Sequence, residues 1–102
     1  MAQSMIQILY FDGCPNHEPT VDLTRAVVGE LGIEAEIREI RVETPEAATQ
    51  YRFLGSPTVR VNGEDIDPEA RARTDFALSC RMYKGTGIPS KDLLVAALRK
   101  VT

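Results

Sequence analysis

The chain has 102 residues, of which 43% are apolar and 26% charged, with a net charge of -3 at pH 7. That length supports one core but no second unit with its own machinery, so residues 1–102 are read as a single domain. The acidic balance and scattered basic residues argue against a nucleic-acid or anionic-membrane partner; the first residues lack a basic region followed by an apolar stretch with a small-residue cleavage site, and no apolar run is long enough to span a bilayer, so the expected location is the cytoplasm.

Residues 5–11, MIQILYF, alternate two apolar faces interrupted only at Gln7, the pattern of a central strand covered on both sides. A helix is predicted from Pro15 to Leu31, with Leu23, Val27, Val28 and Leu31 at helical spacing, Glu18 in the first turn and Gly32 placed to end it. Cys14 would be its cap and Pro15 its first residue, while Pro19 falls where a missing N–H costs little. Residues 33–42 read as a strand with one exposed face. Its apolar phase shifts from Ala35 and Ile37 to Ile40 and Val42, which predicts a bulge.

Thr44-Pro45-Glu46 marks the start of a short helix reaching about Phe53. After Gly55-Ser56-Pro57-Thr58, Val59 and Val61 alternate with Arg60, and Asn62-Gly63 predicts a tight hairpin into residues 64–67. Residues 68–84 suggest irregular helical turns. Pro89-Ser90 then opens a last helix whose Leu93, Leu94, Ala97, Leu98 and Val101 form one stripe.

Two cysteines are too few to staple a scaffold, so each is either a small buried hydrophobe or a reactive group. Cys14 stands where a strand gives way to a helix, and there free backbone N–H groups and the helix dipole favour an anion such as a thiolate. The bland alternative is an unreactive cap. His17, three residues on, either pairs with that thiolate over the same turn or is an exposed first-turn residue.

Cys80 lies among Phe76, Ala77, Leu78 and Met82, a composition that predicts burial in the core. In the competing arrangement its loop folds back beside Cys14 as a second thiol, with Arg81 supplying positive charge. Asp12 is a further candidate base. Cys14, His17 and Cys80, with Asp12, are soft ligands suited to zinc, copper(I) or mercury, although they lack the paired close spacings of a zinc site. Tyr10, Phe11, Tyr51 and Phe53 are assigned to core and cleft lining. Gly85-Thr86-Gly87 is too short for a phosphate cradle, and no cofactor is expected.

The order strand, helix, strand, helix, strand, strand, helix makes the first two strands parallel neighbours and puts the hairpin on the other side. This order, the Cys14-Pro15 pair opening the first helix, and Gly55-Ser56-Pro57-Thr58 before a strand ending in Val61-Asn62-Gly63 together resemble the thioredoxin superfamily over nearly the whole chain. The resemblance implies an α/β three-layer fold with a central mixed four-stranded sheet and helices on both faces. It also implies a cis Pro57 packed beside Cys14, with the backbone before it free to pair with an extended thiol substrate and with Pro15, Ser56, Pro57 and Thr58 in contact with that substrate.

The chain departs from the family at the fourth motif position, which is His17 in place of a second cysteine, so a local dithiol cycle is excluded. A narrower resemblance, carried by Ser79-Cys80-Arg81-Met82-Tyr83 and Gly87-Ile88-Pro89, is to small bacterial proteins described as thioredoxin-family or alkylmercury-lyase-like. The expected function is thiol-disulfide exchange on a protein or small-thiol substrate, with Cys14 as nucleophile, His17 beside it, and Cys80 or an external thiol resolving the mixed disulfide. Two alternatives stand beside it: a protein that holds a soft metal or organomercurial without turnover, and a peptide-binding module with no redox chemistry.

Overall fold

The alternating β-formers of the chain build one mixed four-stranded sheet in a computed structural model, which describes residues 4–83 and 85–101. In chain order the elements are β1 (Ser4–Tyr10), α1 (His17–Leu31), β2 (Ala35–Arg41), α2 (Pro45–Gln50), β3 (Thr58–Val61), β4 (Glu64–Asp65), a 3-10 turn (Pro68–Ala70) and α3 (Lys91–Val101). The sheet order is β2-β1-β3-β4, with β1 parallel to β2 and antiparallel to β3. The hairpin joining β3 to β4 turns at Asn62 and Gly63, both at positive φ (50° and 87°), which is the geometry a two-residue turn between twisted strands demands.

The doubly apolar pattern of β1 serves two layers. Ile6 and Ile8 join Val59 and Val61 of β3 against Val21 and Val27 of α1 and Leu94, Ala97 and Leu98 of α3. Leu9 faces the other way and packs with Val42, Ala48 of α2 and Phe53. Helices therefore cover both faces. Each fully buried Ile, Leu or Phe in these layers contributes about 1.5–3 kcal/mol. On α1 the buried face includes Thr20 and Thr24, whose hydroxyls donate to the carbonyls of Asn16 and Thr20 at 2.7 and 2.8 Å, so two polar residues enter the core fully partnered.

Several boundaries differ from the sequence reading. The pairing of β2 with β1 runs unbroken from Ser4↔Ala35 to Tyr10↔Arg41, so there is no bulge. As an edge strand, β2 instead sends Ile37 into one layer and Ile40 into the other, and the phase shift leaves its polar residues at the surface. Helix α2 stops at Gln50, because Arg52 adopts φ 56° and turns the chain. Of the irregular helical turns expected over residues 68–84, the described residues form one 3-10 turn, and residue 84 lies outside them. The helix starts at Thr44 and Ser90 are as read: Thr44 Oγ1 accepts from Ala47 N–H at 3.0 Å and Ser90 Oγ from Leu93 N–H at 3.2 Å. Among the described residues, no helix is long and apolar enough to cross a membrane.

Candidate functional site

Cys14 lies in the turn that carries the chain from β1 into α1. Its N–H donates to Phe11 O at 3.3 Å, closing a turn through Gly13 at φ 84°, and its own carbonyl accepts from His17 N–H at 3.4 Å. The first bond of full helical span is Thr20 N–H to Asn16 O, at 3.3 Å. Pro19 explains the late start: without an N–H it gives the Pro15 carbonyl no donor four residues on. The cap is consequently Asn16 rather than Cys14, and the first helical residue is His17 rather than Pro15. Cys14 is a free, half-buried thiol two residues ahead of the cap, and Pro15 beside it is exposed.

His17 is committed elsewhere. Its ring stacks on Tyr10 with centroids 3.6 Å apart and planes 5° apart, and its Nε2 meets Glu39 Oε1 at 2.7 Å. Glu39 is paired in register with Ile8, so the histidine spans from the end of β1 to the β2 edge. Asp12 is likewise drawn to that edge, where its Oδ2 lies 3.5 Å from the Arg41 guanidinium. Of the four aromatic residues assigned to core or cleft, Phe53 is fully buried, Tyr10 and Phe11 are half-buried, and Tyr51 is exposed.

The Ser56-Pro57 peptide is cis, as expected. Leu9 opposes Thr58 in the antiparallel register, so Ser56 and Pro57 enter β3 at the end of the sheet where β1 hands the chain to the Cys14 turn. The backbone before the proline is not free, contrary to expectation. Ser56 N–H donates to Ser79 O at 2.7 Å and Arg81 N–H donates to Ser56 O at 2.9 Å, which pairs Ser56 with Cys80 in an isolated parallel bridge. The chain's own segment thus occupies the edge where an extended partner was predicted to pair. Thr58 Oγ1 donates to Gly55 O at 2.5 Å, whereas Ser56 Oγ is buried and has no hydrogen-bond partner among the described residues.

That bridging segment is anchored from inside. Arg81, 5% exposed, donates from both terminal nitrogens to Asp65 at 2.6 and 2.9 Å, and its guanidinium lies 4.5 Å from the centre of the Tyr83 ring. Tyr83 in turn donates its hydroxyl to Pro57 O at 2.6 Å. Burial pushes the Tyr83 phenol well above its ordinary value, against the opposing pull of Arg81. Burial also works against the charge of Arg81, but its bond to Asp65 helps leave the guanidinium's value raised. The Arg81 guanidinium is thus committed to Asp65 and the Tyr83 ring.

Cys80 is exposed rather than buried, and its neighbours Leu78 and Met82 are 37% and 58% exposed. Backbone hydrogen bonds and the Arg81 anchor seat this segment, where its composition had suggested apolar burial. Cys14, Ser56, Pro57, Thr58 and Cys80 are thus gathered at one end of the sheet, while His17 and Asp12 turn to the β2 edge. Among the described residues no group of three or more His, Cys, Asp or Glu side chains is placed to hold a metal ion, so Cys14, His17, Cys80 and Asp12 do not form a ligand set. In the sequence Tyr83 stands out only as the end of the Ser79-Cys80-Arg81-Met82-Tyr83 motif, with no role attached, and Asp65 does not stand out at all. Neither the motif nor the spacing of Arg81 and Tyr83 identifies their partners, which lie 16 and 26 residues away. No protein-family model and no curated protein sequence matches the chain.

Proposed function

We propose that the chain is a thioredoxin-like protein that carries out thiol-disulfide exchange, with Cys14 as the attacking thiolate. The observation that supports this reading best is the placement of a free, half-buried thiol in the β1–α1 turn at the same sheet end as the cis Ser56-Pro57 peptide. A thiolate formed there lies just ahead of the helix start, where backbone N–H groups and the helix dipole favour negative charge. It would attack one sulfur of a substrate disulfide, forming a mixed disulfide on Cys14 and releasing the other sulfur as thiolate. Because Ser56 is already paired, the substrate would meet this site through its sulfur rather than by adding a strand.

The test is the rate at which the reduced protein reacts with a small aromatic disulfide at neutral pH, followed by mass mapping of the modified cysteine. Reaction at Cys14 faster than that of free cysteine, lost in Cys14→Ser, is the expected result. Reaction no faster than free cysteine overturns the reading.

A further inference from the structure

We infer that Cys80 is the resolving thiol for Cys14 and that the buried Ser56 hydroxyl is its hydrogen-bond partner during resolution. This rests on the reading of Cys14 as the attacking thiolate. Three features of the Ser56–Cys80 bridge carry it. Cys80 is held between two short backbone bonds, Ser56 N–H to Ser79 O and Arg81 N–H to Ser56 O, so a surface residue has a fixed position beside the cis proline. The flanking side chains point the other way: a Cβ on Gly55 would lie 3.1 Å from both Ser79 Oγ and Arg81 Cβ. Alternation along an extended segment then sets the Cys80 side chain on the side opposite Ser79 and Arg81.

Residues paired across a parallel bridge share a side of the pleat, so the Cys80 and Ser56 side chains leave the backbone on the same side. The Ser56 hydroxyl belongs to a residue with 0% exposure and has no hydrogen-bond partner among the described residues, a costly arrangement in a folded chain. A sulfur anion brought up to it gives the hydroxyl an acceptor. Both cysteines are free, and the β1–β3 register sets Ser56 at the sheet end that carries Cys14. Between Arg81, locked to Asp65, and Ser79, Cys80 can change rotamer without moving its backbone.

The chemistry balances without a further oxidant. Cys14 thiolate attacks a substrate disulfide and releases one substrate thiolate, leaving a mixed disulfide. Cys80, having lost its proton to water, attacks the Cys14 sulfur. The Cys14–substrate bond breaks, a Cys14–Cys80 disulfide forms, and the second substrate thiolate leaves. Two protein thiols are oxidised and one substrate disulfide is reduced.

The experiment treats the reduced full chain with oxidised glutathione and follows intact mass and disulfide maps with time. The wild type is expected to pass through a glutathione adduct on Cys14 to a Cys14–Cys80 disulfide, while Cys80→Ser stops at the adduct. Ser56→Ala is expected to slow the second step about tenfold or more relative to its own adduct formation. The urea midpoint of each variant verifies that it is folded. A wild-type adduct that persists on Cys14 overturns the resolving role and leaves the proposed function standing, whereas no reaction at Cys14 overturns the proposed function itself. A Ser56→Ala protein that closes the disulfide at the wild-type rate overturns the part assigned to the hydroxyl.

Discussion

Arg81 and Asp65 meet in a bidentate ion pair at 2.6 and 2.9 Å with both side chains 5% exposed, joining the irregular segment after the 3-10 turn to strand β4. Removing one member strands the other charge out of water. Arg81→Met is expected to cost about 3–5 kcal/mol in urea unfolding, because Asp65 stays buried without its partner. Replacing both, as Asp65→Leu with Arg81→Met, should cost clearly less than the sum of the single changes. Arg81→Lys should not restore the wild-type midpoint, since one ammonium cannot reproduce two parallel bonds and the stack on Tyr83. A stability of Arg81→Met within about 0.5 kcal/mol of wild type would show that the pair behaves as an exposed one.

Tyr83 gives the fold an alkaline limit. Burial holds its phenol above the free value of about 10, so the neutral form is favoured by folding. That contribution is fully present below about pH 10 and is lost as pH rises through the folded-state value. Unfolding free energy measured across the alkaline range should therefore fall for the wild type. Tyr83→Phe should flatten that fall and lower stability at neutral pH by about 1–3 kcal/mol, since Pro57 O loses the hydroxyl it accepts from. Identical alkaline slopes for the two proteins would assign the limit to other groups.

The sheet and its helices were legible because their signals are local. The double apolar face of β1, the Asn62-Gly63 turn and the caps Thr44 and Ser90 each act within a few residues. The start of α1 was misplaced because Cys14-Pro15 reads as a cap and a first residue, while the deciding feature was the missing N–H of Pro19. The Cys80 segment was misjudged for a different reason. Its apolar composition implied a buried face, but a backbone bridge to Ser56 and the Arg81–Asp65 pair seat it, and neither has a periodicity to read. For His17, spacing placed it beside the thiol, whereas the stack on Tyr10 and the bond to Glu39 depend on the β1–β2 register.

His17 accordingly separates a structural from a chemical role. His17→Ala removes the stack on Tyr10 and the bond to half-exposed Glu39, for an expected loss of about 1–2 kcal/mol. The rate at which Cys14 reacts with a small disulfide should stay close to wild type. A large fall in that rate with little change in the urea midpoint would return the histidine to the thiol.

Gly55 tests whether the Cys80 segment depends on close backbone approach. It adopts φ 116°, which side-chain-bearing residues avoid, and an added Cβ would stand 3.1 Å from Arg81 N, Arg81 Cβ and Ser79 Oγ. Two of those atoms belong to the backbone or its first side-chain carbon, so they cannot swing away as the tip of a long side chain would. Gly55→Ala should therefore cost about 1–3 kcal/mol from backbone strain alone and push the segment off Ser56. Amide hydrogen exchange distinguishes the two effects. Ser56 and Arg81, whose N–H groups make the bridge, should lose protection well beyond the global change, while the β1–β2 ladder should follow global stability. Equal loss at both places would mean that the strain is absorbed by the whole fold and that the segment stays seated on Ser56.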